Sequence, residues 1–253
     1  MNRDWVSWYS GRLGREMPLV VYGHTGYPVI VFPTQNSPCT NYEDFGMVAE
    51  IADYIEAGTV QLFCVDTVDQ QSWSDVNGDK AARADRQEAF YRYICEEVVP
   101  FVRDRNGLGV RPLLTGCSMG ATHSVICALR RPDLFQGCVA LSGVYDGQYF
   151  FGDWMNGTLY DNSPVHFLPN MPVDHPYVEV YRHRQFVLCV GQGAWEDEGV
   201  RTQGILDEAF RRLGVQSAWC DYWGFDVNHD WPWWKKQIRY FLPIVLDGAW
   251  AQQ

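Results

Sequence analysis

"RPLLTGCSMGATHSVICALRR", residues 111–131, runs from a short apolar strand, through a serine between two glycines, into an amphipathic helix. A Gly-x-Ser-x-Gly pattern alone carries little weight. With glycine and serine at ordinary frequencies it arises by accident in roughly one chain in ten of this size. The setting gives it meaning. Where a strand turns sharply into a helix, flanking glycines relieve the crowding, and the serine between them is pushed out above the sheet as a nucleophile. Ser118 is in that setting, so it is read as a nucleophile ahead of the bland alternative, a glycine-rich turn with an incidental serine.

Working outward, further strands alternate with helices on both sides of this stretch. "PLVVYGH" and "YPVIVFP", joined by "GHTGY", read as an opening antiparallel pair. "DFGMVAEIADYIEAG" carries apolar residues at helical spacing up to Gly58, and "TVQLFCV" is a continuous apolar run of the buried-strand kind. A long helix is expected over Ala82–Arg105, with Phe90, Ile94, Val98 and Phe101 on one face. "GCVALSG", "QFVLCVG" and "SAWCDYWG" supply three more strands. Helices follow the last two, in "WEDEGVRTQGILDEAFRRLG" and "DWPWWKKQIRYFLPIVL". The pattern predicts an α/β fold: a mostly parallel sheet with an opening antiparallel hairpin and helices on both faces. Sites in such sheets lie beyond the carboxyl ends of the strands. A single domain over residues 1–253 is expected. Only residues 145–184, rich in Tyr, Phe, Asn, Asp and Pro, break the rhythm, and they read as an aromatic cover over the active face.

Lys and Arg number 20 against 31 Asp and Glu, a net charge of −11, and no basic cluster interrupts the acidity. That argues against nucleic acid and anionic membranes as main partners, and it says little about a neutral small-molecule substrate. No apolar run reaches the ~18 residues of a bilayer span. The opening "MNRDWVSWYSGRLGREM" lacks the apolar core of a signal peptide, so a cytoplasmic location is expected. The eight cysteines include several in apolar runs and form no C-x-x-C or zinc-ligand spacing. No metal and no cofactor is therefore expected. Whether the chain forms a homo-oligomer is left open.

A serine nucleophile needs a base, and the base an orienting acid. Of six histidines, His229 in "GFDVNHDWPWW" follows the last strand and heads the last helix, the position and chain order of a base. His24 falls in the first turn, His123 along the helix after Ser118, and His166, His175 and His183 in the irregular segment. The acid is expected after the strand "FVLCV", where Glu196, Asp197 and Glu198 follow one another. Glu196 comes first and is favoured, with Asp197 the alternate. All three also suit the first turn of a helix. Oxyanion donors are expected from the backbone N–H of Met119 and from Thr34 or Gln35, since Pro33 has none to give. Trp73, with Asp66, Asp69 and Ser72, follows the "LFCV" strand as candidate pocket lining. Trp231, beside His229, is the other aromatic expected to bind substrate.

With these residues in place, the chain resembles the "putative esterase" group of α/β-hydrolases, which includes S-formylglutathione hydrolases, feruloyl and siderophore esterases, and mycolyltransferases. "VYGHTGYPVIVFPT", "NYEDFGM", "LFCVDTVDQQSW", "LTGCSMGA", "ALSGVYD" and "NHDWPWW" fall in that group's order. The resemblance implies Ser118 as nucleophile and His229 as base. Asn228 stands where the group commonly has glycine. The expected activity is a serine carboxylesterase acting on small or aromatic esters through an acyl-enzyme. An acyltransferase using the same residues, or a catalytically silent binding protein on this fold, are the alternatives.

Overall fold

The computed structural model describes residues 1–252. One eight-stranded sheet organises the chain, in the order β1-β2-β4-β3-β5-β6-β7-β8. The strands are β1 (Arg3–Ser10), β2 (Arg15–Tyr22), β3 (Tyr27–Phe32), β4 (Val60–Val65), β5 (Leu113–Cys117), β6 (Gly137–Leu141), β7 (Gln185–Val190) and β8 (Ala218–Tyr222). From β4 and β3 through to β8 every pairing is parallel, and β2 joins β1 and β4 antiparallel. The five strands β3 to β7 are buried almost throughout, as strands covered on both faces must be.

The opening hairpin is therefore real, but its partners differ from expectation. β1 pairs with β2 around Gly11–Gly14, whereas β2 and β3 are not neighbours. The turn "GHTGY" carries the chain past the position where β4 inserts between them. β1 was missed because its alternation of half-buried and exposed residues, with Trp5 and Tyr9 outward, belongs to an edge strand.

The short helices α1 (Asn41–Asp44), α2 (Met47–Glu50) and α3 (Ala52–Glu56) replace the single helix expected there. Gly46, at φ 72°, separates the first two, and Ile51, at φ −111°, the next pair. The long helix is present as α4 (Lys80–Tyr93) and α5 (Val99–Asn106), joined through a π-helical stretch at Ile94–Val98. Pro100 lacks an N–H and crowds the preceding turn, and the wider π turn accommodates it. α6 (Met119–Arg130) leaves from Ser118. The irregular segment holds α7 (Gly147–Phe151), α8 (Gly157–Asp161), α9 (Pro164–Phe167) and α10 (Pro176–Tyr181), and α11 (Asp197–Leu213) and α12 (Trp231–Trp250) follow β7 and β8.

Alternation along each strand divides the core in two. Ile30, Phe32 and Leu114 meet Phe90, Val98, Val125, Leu206 and Phe210 of α4–α6 and α11 on one face. Val29, Val31 and Leu113 meet Ile55, Ile238, Phe241 and Val245 of α3 and α12 on the other. Among the described residues no helix is long and apolar enough to cross a membrane.

Candidate active site

β5 ends on Cys117, and the chain reverses into α6 through Ser118 at φ 55°, ψ −121°. A serine there costs ~1–3 kcal/mol of backbone strain, which the surroundings must hold in place. They do so through contact. A Cβ on Gly116 would collide with the Gly120 backbone, and one on Gly120 with the Phe32 carbonyl oxygen. The two flanking glycines are thus required by close approach of β5, α6 and β3. The Ser118 N–H is held by the Leu141 carbonyl at 2.8 Å.

Ser118 lines a cavity of about 370 Å³ together with His229, Gln35 and Met119. Tyr149 and Phe150 of α7, Trp195, Asp197, Glu198, Thr122 and Val144 complete the wall. His229 Nδ1 lies 3.0 Å from Glu196 Oε2. The other oxygen of Glu196, Oε1, accepts from the Ser142 hydroxyl at 2.6 Å, and Ser142 Oγ in turn accepts from the Trp234 indole N–H at 2.9 Å. Glu196 is 1% exposed, so both its oxygens are held in a dry environment. This arrangement can fix the imidazole with its Nδ1–H toward the carboxylate, leaving Nε2 to face the cavity.

Of the three neighbouring carboxylates, Glu196 alone turns inward. Asp197 is exposed on the cavity wall, and Glu198 pairs with Arg201 at 2.9 Å. The loops bearing the imidazole and the carboxylate are laced together. Asn228 Oδ1 accepts from the Ala194 N–H at 2.8 Å, His229 N–H donates to the Ala194 carbonyl at 3.0 Å, and Gly193 N–H to Val227 at 2.9 Å. Asn228 thus has a task that glycine could not perform.

Met119 is the first residue of α6, where backbone N–H groups have no intrahelical partner. Thr34 corrects the expectation for the other donor. Its N–H is spent on Asn41 Oδ1 at 3.0 Å, which leaves Gln35, on the cavity wall, as the available neighbour.

Both expected substrate-binding tryptophans lie elsewhere. Trp73 is 1% exposed, hydrogen-bonds Gln87 at 2.9 Å and packs edge-on behind Phe150, which occupies the wall in its place. Trp231 stacks on Phe45, with ring centroids 4.7 Å apart, and meets Tyr42 and Trp234 edge-on. Chain proximity placed both near the site, but the turn after β4 buries Trp73 behind Phe150, and the first turn of α12 sets Trp231 against Phe45. The residues missed were Ser142, Trp234 and Trp195. Ser142, at φ 57°, sits just past β6 in "ALSG", and Trp195 adopts φ 68° while 89% exposed. A serine at the carboxyl end of a central strand was the one available signal. Of the "LFCV" loop, Asp69 and Ser72 are buried, and Asp66, its carboxyl raised by burial, borders a separate cavity of about 250 Å³. Among the described residues no group of three His, Cys, Asp or Glu side chains is placed to hold a metal ion.

A strained serine between strand and helix, sharing a cavity with an imidazole backed by a buried carboxylate at the carboxyl edge of a mostly parallel sheet, is the arrangement of the α/β-hydrolase class. The Esterase family, described as "Putative esterase", matches residues 10–243. The chain belongs to this family, and with it to the serine ester hydrolases. No curated protein matches it. Solved structures share the fold at low identity. A ferulic acid esterase superposes with a TM-score of 0.75 at 16% identity over 98% of both chains. An S-formylglutathione hydrolase of Agrobacterium tumefaciens gives 0.71 at 14% over 98% of this chain and 95% of that one. MPT51 of Mycobacterium tuberculosis gives 0.74 at 13% over 98% and 99%.

Proposed function

We propose that this esterase is a serine carboxylesterase that forms an acyl-enzyme on Ser118. The observation that carries the reading is the hydrogen bond from His229 Nδ1 to buried Glu196, on the same cavity wall as a serine held at positive φ. His229 Nε2 takes the Ser118 proton as Oγ attacks the ester carbonyl, and the resulting imidazolium is stabilised by Glu196. The N–H groups of Met119 and Gln35 receive the charge that develops on the carbonyl oxygen. His229 then returns the proton to the departing alkoxide, and water activated by the same imidazole releases the acid. Glu196, already hydrogen-bonded, supports a working triad over a silent binding scaffold.

A cavity of about 370 Å³ walled by Tyr149, Phe150 and Trp195 suits small or aromatic groups. A fluorophosphonate probe and an activated aryl ester test the reading together. Ser118→Ala is expected to abolish labelling and to lower turnover by up to ~10⁶-fold, the scale of losing a serine nucleophile. An alanine variant that keeps a tenth of wild-type turnover overturns it.

A further inference from the structure

A second His–carboxylate pair lies behind the site, and the catalytic steps above do not use it. His123 Nε2 is 2.9 Å from Asp69 Oδ1, and the two side chains are 1% and 0% exposed. Burying an imidazole and a carboxylate is costly, and two well-packed apolar side chains commonly serve stability as well or better. What the pair connects supplies a reason for its presence.

The two proposed oxyanion donors belong to different segments: Met119 to α6, and Gln35 to the loop after β3. His123 is one turn beyond Met119 on the same face of α6. Its ring stacks on Phe32, the last residue of β3, with centroids 5.6 Å apart and planes at 27°. Asp69 reaches the other segment: its Oδ2 accepts the N–H of Asn36, the residue after Gln35, at 3.3 Å. Asn36 sits at φ 61°, in the left-handed region that asparagine enters more readily than most residues, and the bond to Asp69 fixes the turn there. The Asp69 backbone adds to the clamp, since its carbonyl accepts from the Ser74 N–H at 2.9 Å and Ser74 Oγ accepts from the Gln35 side-chain amide at 2.7 Å. One carboxylate therefore holds the helix with one oxygen and the loop with the other.

We infer that Asp69 and His123 are positioning residues that set the separation between the two oxyanion donors. The inference rests on the serine-esterase reading and adds residues that never touch substrate. A misplaced donor weakens stabilisation of the tetrahedral intermediate while leaving ground-state binding nearly intact. Removing a donor outright costs ~10²–10³-fold, so displacing one is expected to cost ~10–100-fold in kcat.

The decisive variant is the double replacement Asp69→Leu/His123→Phe, which fills the space with apolar groups and leaves no unpaired charge. It is expected to stay folded with a modestly lower melting temperature, because the Asn36 N–H loses its acceptor, to lose ~10–100-fold in kcat with KM within about twofold, and to bind an aryl boronic acid weaker by the same factor. The boronate adduct on Ser118 is tetrahedral and presents an oxygen to the same donors, so a merely structural role would not produce the parallel loss. A folded double variant with kcat and boronate affinity within about threefold of wild type overturns the inference. If that variant fails to fold, Asp69→Asn against Asp69→Ala decides the matter. The amide can still accept from Asn36 and donate to the other His123 tautomer, so it should retain most of the kcat that alanine loses, and equal values overturn the brace. A wild type that neither turns over ester nor takes the fluorophosphonate would instead remove the esterase reading itself.

Discussion

Replacing Glu196 by glutamine tests the orienting role atom by atom. The carboxylate accepts two hydrogen bonds, from the Ser142 hydroxyl at 2.6 Å and, in the proposed tautomer, from His229 Nδ1–H at 3.0 Å. An amide has one oxygen and one NH₂. With the oxygen toward Ser142, the NH₂ faces His229 and forces Nδ1 to accept, moving the ring proton to Nε2, where it blocks base action. With the oxygen toward His229, the NH₂ faces a Ser142 oxygen already engaged by the Trp234 N–H, and the Ser142 proton loses its acceptor. Both states also lose the negative charge that stabilises the imidazolium. The expected fall in kcat is ~10²–10⁴-fold, or about 2.7–5.5 kcal/mol of transition-state stabilisation, reaching the scale of the wrong-tautomer substitution in a serine protease. Steady-state kinetics on one activated aryl ester measures it, with Asp197→Asn and Glu198→Gln alongside. Asp197 is exposed and Glu198 is paired with Arg201, so the first should cost clearly less than Glu196→Gln and the second almost nothing. A larger loss at Asp197, or a loss at Glu196 below fivefold, would refute the assignment.

Other consequences are open to simpler measurements. Across ester chain lengths, kcat/KM should peak at short or aromatic acyl groups, and a steady climb from acetate to palmitate would contradict the cavity argument. Seven of the eight cysteines are buried. Burial pushes the thiols of Cys39, Cys95, Cys117 and Cys220 up to about 12. A disulfide reagent at neutral pH should therefore react slowly with native protein and count eight thiols only after unfolding; rapid loss of activity would argue otherwise. Burial raises the Glu88 carboxyl, but Arg130 at 2.7 Å, with Asn162 and Arg92, outweighs it and holds the group below its ordinary value. A depressed folded value stabilises above the unfolded pKa and is lost as pH falls through the folded one. Glu88→Gln should thus lower stability at pH 7 by about 1–3 kcal/mol, with the gap closing in acid; a gap constant down to pH 2 would show the pair is not responsible.

The parts of this protein visible in its sequence are those set by local chemistry. The strand–serine–helix turn requires glycines at 116 and 120, and the pattern announces them. His229 and Glu196 follow strands at the carboxyl edge, so chain order located them. The order of strands in the sheet is a non-local choice, and "GHTGY" has the composition of a hairpin turn although its strands are separated by β4. Donor availability is equally hidden: only the fold shows that Asn41 takes the Thr34 N–H. The tryptophans were misplaced because standing beside His229 does not fix which face of α12 Trp231 occupies, and following the "LFCV" strand does not reveal that Phe150 covers Trp73. Ser142 escaped notice because its φ of 57° and its two hydrogen bonds leave no trace in a single letter.

The lacing of residues 192–194 to residues 223–229 has a bearing on motion. Besides the bonds through Asn228 and Ala194, the Gln192 side chain donates to the Trp223 carbonyl at 2.7 Å and its N–H to Gly224 at 3.2 Å. Segments joined this densely open and close as one cooperative unit. Breathing at the mouth of the cavity would then move the two loops together, while the Ser142 hydroxyl keeps the Glu196 carboxylate tied to the end of β6 beside Ser118. Amide exchange at Gly193, Ala194 and His229 should therefore share one opening rate.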